Sequence, residues 1–208
     1  MHRHGRLGPR VAHSASRRVH WELQQTWLRF RRAHYLAMST NRDAFAHTRV
    51  VQPTLLLGSG KVEIGQVQLG YWPSPDLFSG YIHIEARGRE SRVTIRDGVS
   101  MNNSCIVISC GSSIDIGEGC LIGTDVEIYD TDFHAIGPSE RTRSTGGSAP
   151  VTIGMNVFIG SGTRILKGSM IGDNAVVGAG SIVTGHIPPN VVAAGAPCRV
   201  VKSLDESQ

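Results

Sequence analysis

Aromatic residues are scarce in this 208-residue chain, at 6%. Its core must therefore be built from small aliphatic side chains rather than from stacked rings. There is no long apolar run, so no segment reads as a transmembrane helix. The Arg- and His-rich opening has no apolar stretch of the kind a secretory leader needs, which predicts a cytoplasmic protein. Cysteine is sparse too. Cys105, Cys110, Cys120 and Cys198 make no Cys-x-x-Cys pair, which argues against a zinc knuckle, a redox motif or a disulfide framework. Only His83, His134 and His186 of the nine histidines fall in or near the later, patterned part of the chain. That is a poor basis for the three-histidine site of a carbonic-anhydrase-like metal protein, and no metal is expected.

Acidic residues are nearly missing from the first quarter. Residues 1–50 hold ten arginines against Glu22 and Asp43, a net of +8, whereas residues 51–208 hold eleven basic and fifteen acidic side chains, a net of −4. The overall +4 thus describes an N-terminal arm and not the body, and nucleic acid is not an expected partner. Within the arm, residues 1–13 read as disordered and 16–38 as a helix, which Ser14 or Ser16 could cap. Val19, Leu23, Trp27 and Phe30 share one helix face. That Trp face is expected to pack on the body or on a neighbouring subunit; the competing reading is a peripheral contact with the inner face of an anionic membrane.

What the chain has in quantity is glycine, 25 residues, and a period of six. Ile153, Ile159, Ile165, Ile171, Val177 and Val183 form one series. Val157, Thr163, Ser169, Ala175, Ser181 and Ile187 follow four residues behind, and Gly154, Gly160, Gly172 and Gly178 come directly after members of the first. Six is neither the helical nor the heptad period. It is the spacing of a hexapeptide-repeat parallel β-helix, in which each short strand is one face of a coil. Similar steps occur at Ile95, Met101 and Val107, and at Ile116, Ile122 and Ile128. Before them, Leu57, Val62, Ile64, Ile82, Ile84, Val93 and Ile95 alternate as strands do around a Pro-rich loop at 71–75. A long insertion at 129–149 breaks the repeat, and its polar, Gly/Ser-rich second half is expected to be exposed and mobile. The expected organisation is a basic arm with a helix at 1–48, a β-helix domain at 49–202 and a tail at 203–208.

Several segments resemble the hexapeptide acetyltransferases. They are Ile-Gly-Met-Asn-Val-Phe-Ile-Gly-Ser-Gly-Thr at 153–163, Val-Val-Gly-Ala-Gly-Ser-Ile-Val-Thr at 176–184 and Ile-Pro-Pro-Asn-Val-Val-Ala-Ala-Gly-Ala-Pro-Cys-Arg-Val at 187–200. The last is very close to the galactoside and maltose acetyltransferase group. Asp-Thr-Asp-Phe-His at 130–134 is similar to a segment of the polysaccharide O-acetyltransferase branch. The resemblance is strong over 93–202, weak over 55–92 and absent before that. It implies an all-β, left-handed parallel β-helix, a homotrimer, and acetyl-CoA as cosubstrate. The activity it implies is O-acetylation of a sugar or a surface polysaccharide or glycolipid precursor; serine, an antibiotic or the amino group of a nucleotide sugar is the alternative acceptor.

The same resemblance assigns roles. His134 becomes the general base, a task suited to a neutral imidazole because a sugar hydroxyl is too weak an acid to attack a thioester unaided. Asn103, with Asn102 beside it, would contact the acceptor and help hold the oxyanion. Asp130 and Asp132 flank the base as acceptor-binding candidates, with loop solvation as the other reading. The family's acceptor-binding Asp falls on Gly111, which argues against a plain galactoside acceptor. For the cofactor end, Ser161 and Ala179 would bond the pantetheine amides, with Thr184 and Gly185 nearby, and Arg199 and Lys202 would meet the phosphates. Gly185 replaces a family Lys, for which Lys167 is a candidate substitute, and Phe158 would line the thioester channel.

Overall fold

The computed structural model describes residues 15–204 of the chain. Residues 1–13 and Ser14 lie outside the described residues; Ser16 lies within the first helix, but its side chain is not described. From Arg49 onward the chain winds as a three-sided coil of short strands, each pairing in parallel with the strand one turn before and after it. The first face runs from Arg49–Val50 through Gln68–Leu69, Ser100–Met101, Leu121–Ile122, Phe158–Ile159 and Val176–Val177 to Val191–Ala194. Arg199–Ser203 closes that face by pairing antiparallel with Val191–Ala194. The second face carries Thr54–Leu57, Ile82–Ala86, Ile106–Ser109, Glu127–Tyr129, Arg164–Ile165 and Ile182–Val183. The third carries Lys61–Ile64, Arg92–Ile95, Ser113–Ile116, Val151–Ile153, Met170–Ile171 and His186–Ile187.

The period of six works because every strand sends a side chain inward at a fixed register, and the longer strands send more than one. Register stacks these into ladders: Leu69, Met101, Ile122, Ile159, Val177 and Ala193 on the first face. Leu56, Ile84, Val107, Ile128, Ile165 and Val183 stack on the second. Ile64, Ile95, Ile116, Ile153, Ile171 and Ile187 stack on the third. All are buried. Each such aliphatic rung is worth about 1.5–3 kcal/mol of transfer free energy. Two expectations need correction. Leu56, not Leu57, is the inward residue of its strand. Ile187 belongs to the large ladder and not to the small series, because the last coil is shorter: Ile153 to Ile171 spans 18 residues and Ile171 to Ile187 only 16.

The corners use a different chemistry. A Cβ on Gly160 would lie 2.4 Å from the backbone nitrogen of Ala179, so the glycine lets the next coil approach. The left-handed turn itself falls two residues later, on a third series of period six: Gly162, Gly168 and Gly180, with Asn156 and Asn174 in the same conformation. The two asparagines, with Asn190, form a ladder of side-chain hydrogen bonds at 2.9 Å. Buried Thr163, Ser169 and Ser181 donate their hydroxyls to backbone carbonyls of the corners.

The helix Ala15–Met38 lies against the second face and the segment 71–81. Its body-facing side is the one with Leu28, Arg31 and Tyr35. The Arg31 guanidinium donates to the carbonyls of Phe78, Ser79 and Gly80 at 2.8–2.9 Å, and Tyr35 meets Tyr81 at 5.0 Å between ring centroids. The expected Trp face does not pack on the body: Val19, Leu23, Trp27 and Phe30 are all more than half exposed, although the Trp27 indole reaches the Phe78 carbonyl at 3.4 Å. Apolar spacing did not reveal the side that docks on the body, because that side is built on a buried arginine; the exposed row stays open to a neighbouring subunit. Among the described residues no helix is long and apolar enough to cross a membrane.

Candidate active site

Two insertions leave the coil, and they leave from the two edges of the second face. Residues 70–81 lie between the first and second faces, and residues 130–150 between the second and third. The second insertion bears His134.

Asp130 opens that insertion. It is fully buried and accepts hydrogen bonds from the Ser109 hydroxyl (2.6 Å), the Cys110 N–H (2.6 Å) and the Ser112 N–H (3.0 Å). Those are the orphan donors of the corner one coil earlier. The carboxylate is therefore a pin for the insertion, which corrects the expectation that it binds acceptor hydroxyls. Past it, Thr131 bridges Ser148, and the Asp132 N–H donates to the Gly147 carbonyl. The Lys167 ammonium then ties both sides together, reaching the Asp132 carboxylate at 2.5 Å and the Gly147 carbonyl at 3.2 Å. Lys167 thus has a loop partner in place of the cofactor phosphate expected for it, and Asp132 has a cation.

His134 is exposed at the surface of this folded loop. Its Nδ1 lies 2.9 Å from the Arg141 carbonyl. A carbonyl can only accept, so Nδ1 carries the hydrogen and the neutral ring keeps its lone pair on Nε2. The tautomer needed of a base is set by the backbone of the insertion's second half. That half is no loose linker: besides the Arg141 carbonyl it supplies the Ser144 carbonyl to the Ala135 N–H. A Cβ on Gly146 would lie 2.4 Å from the His134 carbonyl oxygen, so only glycine lets the return strand pass there. The sequence offered a signal for this in Gly146-Gly147, which composition alone reads as loop filler. The Arg141 carbonyl carries no residue-type signal at all.

Asn103 also has another task. It is fully buried at the corner beside the first insertion. Its Nδ2 donates to the carbonyls of Tyr71 (3.3 Å), Ser74 (3.3 Å) and Pro75 (2.7 Å), and its Oδ1 accepts from the Tyr71 N–H. With both amide hydrogens committed to the loop, it has none for an oxyanion. Asn102 lines a hollow of about 170 Å³ together with Tyr71, Leu121 and Phe158. Phe158 is half-exposed there, on the outer side of the first face.

The residues expected at the cofactor fall on both edges. Ser161 and Ala179 stack one coil apart along the edge between the first and second faces, where the Gly180 N–H donates to the Ser161 carbonyl. Arg199 continues that line, paired with Ala194 in the closing strand, and Lys202 follows opposite Val192. Thr184 and Gly185 lie across the second face, on the edge shared with Lys167 and the His134 insertion. No cysteine competes as a nucleophile: burial pushes the Cys105 thiol up to about 12 and raises those of Cys120 and Cys198, and Cys110 has no adjacent base motif. Among the described residues no three His, Cys, Asp or Glu side chains are grouped to hold a metal ion.

Comparison with known proteins places this arrangement. Residues 150–185 match the family described as bacterial transferase hexapeptide (six repeats). WbbJ of Escherichia coli (strain K12), which carries the name of a lipopolysaccharide biosynthesis O-acetyl transferase, is 33% identical over 174 residues, 79% of this chain and 83% of that protein. The chain belongs to the hexapeptide-repeat acetyltransferases. Family membership gives the coil its hand: it is a left-handed parallel β-helix, the exception to the right-handed crossover rule. Within the family, the galactoside O-acetyltransferase of E. coli is 48% identical over 94 residues, 45% of this chain and 46% of that enzyme. The chain thus spans about half the length of that relative. The crystal structure of a maltose O-acetyltransferase from Clostridium difficile 630 has 27% identity and a TM-score of 0.52, covering 89% of this chain and 90% of that one.

Proposed function

We propose that the protein transfers an acetyl group from acetyl-CoA to a hydroxyl of a sugar, with His134 as the general base. The carrying observation is the 2.9 Å contact between His134 Nδ1 and the Arg141 carbonyl, which leaves Nε2 unprotonated. The galactoside and maltose relatives support a sugar acceptor, and WbbJ supports one bound for a surface polysaccharide. The acceptor hydroxyl gives its proton to Nε2 as its oxygen bonds to the thioester carbonyl carbon. Collapse of the tetrahedral intermediate breaks the C–S bond, and the imidazolium returns the proton to the departing thiolate. The products are the O-acetyl sugar and free CoA, with no acyl-enzyme.

The site is completed between copies in a homotrimer. In one chain, the His134 insertion and the line of Ser161, Ala179 and Arg199 occupy opposite edges of the second face. The strand Arg164–Ile165 of the second face, with a turn on either side, separates Ser161 from Lys167, whereas reacting atoms must come within about 3.5 Å. Edges of neighbouring copies can meet where edges of one chain cannot. The exposed row of Val19, Leu23, Trp27 and Phe30, on an arm of net charge +8, suits peripheral contact with an anionic membrane at the cytoplasmic face, where lipid-linked acceptors would lie.

The test is CoA release from acetyl-CoA with a panel of methyl galactoside, maltose and surface oligosaccharides, run with light scattering. Wild type should release CoA in proportion to O-acetyl sugar and run as a trimer. Absence of acetyl-CoA binding by calorimetry would reduce the protein to a non-catalytic coil, and a monomer with full activity would defeat the shared site. Sedimentation with anionic vesicles tests the arm: full-length protein left wholly in the supernatant would end the membrane contact.

A further inference from the structure

The residue before the base has an uncommon backbone. Phe133 has φ +62°, and the His134 N–H donates across it to the Asp132 carbonyl at 2.7 Å. A hydrogen bond spanning one residue at positive φ marks a γ-turn of the strained kind. Bulky side chains rarely adopt it, and glycine would do so freely. Something must therefore hold the phenyl ring in place.

The ring is held on two sides by groups from the second face. Arg87 places its guanidinium carbon 5.3 Å from the ring centroid, and the Tyr129 ring meets it edge-on at 5.4 Å and 76°. Arg87 is fixed in turn by a two-pronged ion pair with Glu85, at 2.9 and 3.1 Å, and Glu85 also meets His83 at 3.2 Å. The Phe133 N–H is satisfied locally by the Thr131 hydroxyl at 3.2 Å. None of these side chains was marked by sequence motif except as part of the Asp-Thr-Asp-Phe-His run.

We propose that Phe133 is a positioning residue for His134, locked by Arg87 and Tyr129 into a strained turn that aims the imidazole at the Arg141 carbonyl. The proposal rests on the reading of His134 as the base. The brace runs from the coil's outer wall (Glu85, Arg87) through the ring to the turn, so the rigid β-helix joins the Arg141 carbonyl in setting the imidazole's direction. A ring at this position does what glycine cannot: it ties a turn that would otherwise sample several conformations to the scaffold.

The test reads the tautomer directly and needs no acceptor. Full-length protein labelled with 15N-histidine is compared by NMR with its variants, the His134 signals being identified by their loss in His134→Ala. Wild type should show Nδ1 protonated and Nε2 bare. Phe133→Ala should shift His134 toward the mixed tautomers of a free imidazole, with a melting temperature within a few degrees of wild type. Arg87→Met, which lies outside the loop, should shift it the same way by less, and should add nothing in the Phe133→Ala background. Should Phe133→Ala fail to fold, Arg87→Met carries the test alone. Unchanged His134 signals in the folded variants would overturn the proposal while leaving the base intact. A wild-type His134 with Nδ1 bare would instead overturn the base.

Discussion

Between Val151 and Ile187 the coil advances by strands of two or three residues with nothing inserted, whereas between Gln68 and Val151 it is broken twice, at 70–81 and at 130–150. In the unbroken stretch the buried polar side chains are Thr163, Ser169 and Ser181, hydroxyls that close corners. In the broken stretch Ser91, Thr94, Ser109 and Thr131 are buried as well, but an amide and a carboxylate, Asn103 and Asp130, join them and act at a distance. Asn103 grips the first insertion, joined by Gln52 from the preceding coil through the Asp76 carbonyl, and Asp130 fastens the second to the coil before it. An insertion carries backbone groups that the coil's own ladder cannot satisfy, and a buried amide or carboxylate is the compact way to satisfy several at once. The regular coils supply a stiff rod, and the second interruption holds the proposed base at one of its corners.

The sharpest way to separate the two regions is a pair of substitutions. Ile165→Ala removes a fully buried rung from the unbroken stretch and should cost about 2–5 kcal/mol of stability, read as a lowered denaturation midpoint. Its kcat per folded molecule should stay within about threefold of wild type. His134→Ala should do the reverse: no change in midpoint, unchanged acetyl-CoA affinity, and turnover down by about a hundredfold or more. If His134→Ala keeps a third of its turnover, the chemistry does not live in the interruption.

The same contrast explains what could be read from residues alone. The ladders were legible because period six with one aliphatic per step leaves little freedom in which side points inward. His134 was legible only through its five-residue motif. The pins were not: a carboxylate at the mouth of a loop, such as Asp130, looks identical whether it turns out to a sugar or in to Ser109, Cys110 and Ser112. Lys167 and Asp132 are 35 residues apart, and nothing in either neighbourhood names the other. The helix hid the face that docks on the body for a related reason. Its apolar row was real, but the contact with the body is made by Arg31, whose fork meets three carbonyls that no periodicity reveals. The third series of period six, Asn156 to Gly180, shows what was available and unread: a left-handed corner takes Gly or Asn, and both recur at that step.

The closing strand belongs to the regular half by position but carries expected binding residues, so it tests whether the division is strict. Arg199 is exposed, and among the described residues its guanidinium donates to the neighbouring Cys198 carbonyl alone, which suits it to an anion. Arg199→Ala should raise the KM for acetyl-CoA about tenfold with kcat nearly unchanged, because a contact at the nucleotide end binds ground and transition states alike. The penalty should shrink with a donor lacking the 3′-phosphate. A KM equal to wild type would remove Arg199 from the site and leave the regular half purely structural.

Lys167 sits on the border, rooted in the unbroken coils and reaching into the interruption, and its substitution should have the smallest effect and the most discriminating pattern. As a cofactor contact it would lower acetyl-CoA affinity; as a brace on the Asp132–Gly147 junction it would act on turnover. The geometry favours the brace, since the ammonium is already shared between a carboxylate and a carbonyl. The pair is about a third exposed on each side, so its worth to stability is small, in the range of about 0.2–1 kcal/mol for exposed ion pairs. Lys167→Ala should therefore lower kcat by about three- to fivefold, leave the KM for acetyl-CoA within about twofold, and barely move the denaturation midpoint. Raising the salt concentration should mimic the substitution in wild type and have little effect on the variant, because screening weakens the same pair. A variant with normal kcat and a severalfold higher KM for acetyl-CoA would return Lys167 to the cofactor and cut the link between the two halves.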